Sequence, residues 1–151
     1  MKNWIASLLK MLSGTIERPS PGDWVSEPDV QSWAESFPWL GLNVHLAERP
    51  KIWVPMIPDT NSMDGVFDYG HNNILIAGSN DDDHQALVAH LVVGDIAVYR
   101  TSSIYAIHRI IEIGDDAAGR YYRFKGDNNS TKDPEKIRES QIEWVSIGTI
   151  Y

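Results

Sequence analysis

The chain has 151 residues, about one domain by length, with 42% hydrophobic and 23% charged residues, the proportions of a soluble globular protein. Its formal net charge of −8 leaves no basic stripe for phosphate contacts, so neither nucleic-acid binding nor tight binding to an anionic membrane surface is expected. With no cysteine, disulfides, thiolate metal sites and a cysteine nucleophile are excluded.

At the N-terminus, the apolar or small run Trp4 to Leu9 is six residues long before Lys10 interrupts it. A signal-peptide core takes roughly 7–15 apolar residues and a membrane span about 20, so no stable membrane insertion is expected. Trp4, Leu8, Leu9, Met11 and Leu12 recur at helical spacing, which predicts a short amphipathic helix that packs on the chain's own core or docks on a partner, with a weak membrane-surface anchor as the alternative. Residues 13–25, SGTIERPSPGDWV, read as a linker rich in proline and glycine. A second short helix follows over SEPDVQSWAESF, with Ser26 as N-cap, Asp29 three residues on, and Val30, Trp33 and Phe37 on one face; Pro38 ends it. Residues 1–41 are thus a helical segment and linker.

From residue 42 the period changes. LNVHL, KIWVPMI, NILIAG, DIAVYR, SIYAIHRIIEI, RYYRFKG and IEWVSIGTIY are short runs rich in Ile, Val, Tyr and Trp, separated by Gly, Pro, Asn and Asp, which predicts strands and turns. GDDAAG, Gly114 to Gly119, reads as a hairpin tip. Only DDDHQALVAHL has helical character, with Asp81, Asp82 and Asp83 where they suit the helix dipole. Without βαβ alternation, residues 42–151 read as a mainly β, antiparallel domain. The acids of this helix with His71, His84 and His90 read as an acidic helix start and surface histidines rather than a metal site, and no cofactor is expected. Asn128-Asn129-Ser130-Thr131 contains glycosylation acceptor patterns, which are set aside because they share a loop with candidate site residues.

Three polar blocks interrupt the apolar runs. TNSMDG places Ser62 in a turn, YAIHRII places His108 inside a strand pattern, and FKGDNNSTKD supplies Asp127 and Asp133 as the chain leaves a strand. A serine hydroxyl becomes a nucleophile only when a base removes its proton. An imidazole can do that near neutral pH, and a carboxylate behind it fixes the tautomer. Spacing alone leaves the choice between Asp127 and Asp133 open.

Taken together, NSMDG, VVGDIAVYR, IHRII and FKGDNNSTKD resemble, in order, the motifs of signal peptidases and the related LexA-type self-cleaving repressors, over roughly residues 52–151. Bacterial signal peptidases and LexA-type proteins carry Lys before the Arg; here His108 precedes Arg109, which is similar to the endoplasmic-reticulum and archaeal signal peptidases. The resemblance implies that fold and a serine endopeptidase acting on a protein or peptide substrate. Ser62 would be the nucleophile, His108 the general base and Asp133 the orienting acid. Asp127 would shape the loop, and Lys125 belongs to the same turn motif, with a lesser claim as a rival base. The Ser62 N–H and Thr60 would serve the oxyanion. KIWVPMIP would run as an exposed edge pairing with substrate through Trp53, Val54, Met56 and Ile57, with Met63, Trp53, Phe67 and Tyr69 as candidate pocket walls. The chain departs from the family in having Asp64-Gly65 where signal peptidases place a Pro two residues after Met, and neither a membrane anchor nor a DNA-binding helix-turn-helix is expected from its residues. These features lead to the expectation of a cytoplasmic protein of a kind that would suit a virus, plasmid or mobile element. Self-cleavage within residues 13–25, and a peptidase-like fold kept as a peptide-binding or assembly module, are the alternatives.

Overall fold

The computed structural model describes residues 48–150. The two N-terminal helices, the linker and the LNVHL strand expected from sequence lie outside them. The described residues form six strands, one helix and a 3-10 turn: β1 (Lys51–Trp53), β2 (Asn72–Ala77), α1 (Asp81–Ala89), β3 (Ile96–Arg100), β4 (Tyr105–Asp116), β5 (Gly119–Lys125), the turn Glu139–Gln141 and β6 (Ile142–Ile150). They make one antiparallel sheet in the order β1-β2-β6-β3-β4-β5. The C-terminal strand is therefore inserted between β2 and β3. The expected mainly β, antiparallel architecture is present. Among the described residues, no helix is long and apolar enough to cross a membrane.

KIWVPMI does not run as one strand. Pro55 has no N–H to give a ladder, so regular pairing stops at Trp53. The chain keeps contact with β2 through a bridge from Met56 to Asn72 and a bond from the Ile57 N–H to the His71 carbonyl at 2.8 Å. Residues 58–70 then leave the sheet as a loop closed at its base by Ile57, Gly70 and His71. Inside it, the Val66 and Phe67 N–H groups both donate to the Met63 carbonyl, making a single helical turn. Met63 and Phe67 bury themselves with Ile57 against Ile96 and Ile107. This small core holds the loop on one face of the β3–β4 pair.

The other face carries the main core. Ile76, Ala97, Tyr99, Ile110, Tyr122, Phe124, Ile142 and Val145 pack there with Leu87, Val88 and Leu91 of and just after α1. The helix starts at Asn80, whose side-chain oxygen caps the Asp83 N–H at 2.9 Å. Asp83 in turn accepts from the Glu48 N–H and Asn80 Nδ2, and His84 Nε2 lies 2.8 Å from the Ile142 carbonyl, so both side chains are engaged in local structure. The β4–β5 hairpin turns where expected, with Gly119 at φ 99, a left-handed value that favours glycine. An extra residue, Ile111, bulges from β4 beside its pairing with β5.

Candidate active site

Strand alternation decides what lies on each side of β4. In the β3–β4 ladder Ala97 pairs with His108 and Tyr99 with Ala106, so Tyr99 and His108 share the core face. Arg109 and Lys125 pair across β4 and β5 on the opposite face. Lys125 thus points away from His108, and its Nζ lies 3.3 Å from the Gly126 carbonyl.

The loop after β5 places one acid on each face. The Asp133 N–H donates to the Phe124 carbonyl at 2.8 Å, which holds the residue beside β5. Its Oδ2 accepts from His108 Nδ1 at 2.7 Å. Asp127 goes to the other face, where Arg109 grips it with Nε at 2.9 Å and Nη2 at 2.6 Å, while Arg109 Nη1 donates to the Gly94 carbonyl. This fork holds the Asp127 carboxyl below the usual carboxylate range and the Arg109 guanidinium above its own. Asp133 is the acid at the histidine, and Asp127 is a strut that ties the loop to β4.

The same turn clasps the serine loop. The Asn128 N–H donates to the Ser62 carbonyl at 3.0 Å, Asn128 Nδ2 donates to the Asn61 carbonyl at 2.9 Å, and the Asp127 N–H approaches Met63 Sδ at 3.4 Å. The contact requires glycine at 126, where a Cβ would stand 2.5 Å from the Ser62 carbonyl oxygen. Asn61 sits at φ 57, a left-handed conformation uncommon outside glycine that asparagine tolerates best. It turns the chain sharply just before Ser62, at the start of the helical turn. Among the described residues, neither the Ser62 nor the Met63 N–H has a protein acceptor. Two backbone donors beside a serine are the raw material of an oxyanion hole. Thr60 Oγ1 lies 3.4 Å from Ser62 Oγ.

The serine loop packs on the Ile96–Ile107 face while His108 stands on the core face, yet Ser62 and His108 both border one cavity of about 270 Å³ at the start of β4, whose walls include Ile57, Met63, Phe67, Ile104 and Ile107. Asp64 and Asp68 also border it, and the Asp64 carboxyl is pushed above the usual range, mainly by burial and then by Asp68 and Asp59. Ser62 makes no hydrogen bond to His108; its hydroxyl rests against Thr60. Such bonds are often loose before substrate binds. Of the four residues expected to pair with substrate, only Ile57 borders the cavity. Val54 is buried with Ile74, Trp53 sits on β1 with its ring 5.5 Å from that of Trp144, and Met56 is exposed. Of the expected pocket walls, Met63 and Phe67 line the cavity and Tyr69 does not.

No protein-family model, curated protein or solved structure matches the chain.

One neighbour of the histidine was not singled out in the sequence. The Tyr99 hydroxyl donates to Asp133 Oδ2 at 2.5 Å and lies 3.2 Å from His108 Nδ1. Burial, and then the Asp133 carboxylate, push its phenol well above the ordinary range, so it is a permanent donor. In the sequence Tyr99 is one apolar-looking position of DIAVYR; the only signal was its place in a strand that the ladder sets beside His108.

Proposed function

We propose that this chain is a serine endopeptidase of the signal-peptidase/LexA-like type, with Ser62 as nucleophile, His108 as general base and Asp133 as the acid that orients it. The observation that carries this reading is that Ser62 and His108 share a cavity while Nδ1 of the histidine is taken by Asp133. That leaves Nε2 as the imidazole atom able to receive the serine proton. His108 takes the proton as the Ser62 oxygen attacks the scissile carbonyl. The Ser62 and Met63 N–H groups receive the oxyanion, with Thr60 as a hydroxyl donor. Imidazolium returns the proton to the leaving amine, and water resolves the acyl-enzyme by the same steps. A peptide chain would reach the serine extended between Ile57–Pro58 and the start of β4. There the ladder to β5 begins only at Arg109, which among the described residues leaves 105–108 without a strand partner on that side.

A second reading has one specific observation in its favour, the contact of Ser62 Oγ with Thr60 rather than His108. It makes the fold a peptide-binding or assembly module. Intact mass after treatment with a fluorophosphonate, backed by cleavage of a peptide library, separates the two. A single adduct lost in Ser62→Ala and His108→Ala supports the peptidase; neither labelling nor cleavage by the folded protein refutes it.

A further inference from the structure

The acid behind the histidine is itself held by a second donor. Asp133 lies in a loop, and a loop carboxylate with one partner can rotate away from it. Here its main chain is tied to β5 through the Phe124 carbonyl, and its Oδ2 is tied to β3 through Tyr99. The tyrosine is an unusually rigid anchor, being 1% exposed with its ring stacked on Phe124 at 4.1 Å and 25°. Its hydroxyl proton is committed to Oδ2, so the proton in the 2.7 Å contact between Nδ1 and Oδ2 must come from the imidazole. The two contacts together keep a proton on Nδ1, which leaves Nε2 as the ring atom free to exchange one.

From this we infer that Tyr99 is a positioning residue, which fixes the Asp133 carboxylate and thereby the orientation and tautomer of His108. The inference rests on the proposed peptidase reading and adds a fourth member to its site. Tyr99 does not touch substrate. Tyr99, His108 and Asp133 also border a second, smaller cavity of about 180 Å³.

The test is Tyr99→Phe, which keeps the ring against Phe124 and removes only the hydroxyl. Two readouts are needed. The first is fluorophosphonate labelling, resolved into reversible binding and the first-order rate. The second is the nitrogen-15 spectrum of the histidine side chains, which reports the His108 tautomer and the Nδ1 proton. The expected result is a first-order rate lowered about tenfold, as for loss of one hydrogen bond to a charged group, with reversible binding unchanged. The Nδ1 proton signal should shift or broaden as the tautomer becomes mixed. An unchanged rate and an unchanged Nδ1 signal would overturn the inference and leave Tyr99 as packing. So would a rate loss with the tautomer signal intact, which a merely structural role would give. If wild type takes no label and cleaves no peptide, the peptidase reading fails first. The spectrum distinguishes that case, because it depends on Tyr99, Asp133 and His108 and not on Ser62.

Discussion

Gly126→Ala isolates the contact between the 126–129 turn and the serine loop. Gly126 does not occupy the left-handed region, so alanine meets no backbone penalty there and the effect is steric. The added Cβ would stand 2.5 Å from the Ser62 carbonyl oxygen, with the Asn129 side chain at 2.7 Å on another side. A carbon and a carbonyl oxygen settle at about 3.3 Å, so one loop must retreat by roughly 0.8 Å. That retreat breaks or stretches the 3.0 Å bond from the Asn128 N–H and carries the Ser62 hydroxyl with it. Displacing a reacting group by about 1 Å costs on the order of a hundredfold in rate, whereas overpacking of this kind costs about 1–3 kcal/mol of stability. The expected outcome is a folded protein whose fluorophosphonate labelling is slowed roughly a hundredfold, measured by intact mass against time with circular dichroism as the check on folding. Gly114→Ala is the control, since its Cβ would meet the far end of the Tyr121 side chain, away from the site. Labelling of Gly126→Ala at the wild-type rate would refute the idea that this clasp positions Ser62.

Other changes test the surrounding electrostatics and the scaffold. Asp64 has a raised carboxyl pKa, so its ionisation destabilises the folded state once pH climbs through that value; Asp64→Asn should therefore raise Tm at neutral pH, with the gain vanishing below about pH 4. Asp127 has a depressed pKa, so its stabilisation is present above about pH 4 and is lost as pH falls further; Asp127→Asn should cost on the order of 1 kcal/mol at neutral pH and flatten the acid side of a stability–pH curve from urea melts. Asn80→Ala removes the helix cap and should lower stability by about 1 kcal/mol, seen as a Tm drop with labelling at Ser62 unchanged.

How far the sequence speaks for this structure depends on the range of the interactions involved. β2 to β6 and α1 fall on runs whose composition and flanking turns mark them, because those signals are local. KIWVPMI was misleading in length: its apolar residues suit a strand, but Pro55 denies the ladder a donor. Sheet order is not local, and nothing in IEWVSIGTIY announces that it will lie between NILIA and DIAVYR. Asp133 was legible as the histidine's partner only through resemblance, since the turn offers two acids six residues apart. Tyr99 was not legible, because its nearness to His108 depends on β3 and β4 pairing in one particular register.

That register gives the short 126–133 segment its reach. Successive side chains of a strand point to opposite faces, so adjacent His108 and Arg109 present a base to one side and a cation to the other. The loop straddles the strand and answers both, with Asp133 on the imidazole and Asp127 on the guanidinium. Between the two acids, Asn128 donates to the carbonyls of Asn61 and Ser62, the two that flank the serine. The serine loop and the histidine, brought together from positions 46 residues apart, are therefore referenced to one another through a single rigid turn. Loosening any one of its contacts should misplace both halves of the site together. The effects of Gly126→Ala and of Asp127→Asn on labelling should for that reason fall short of additivity when the two changes are combined.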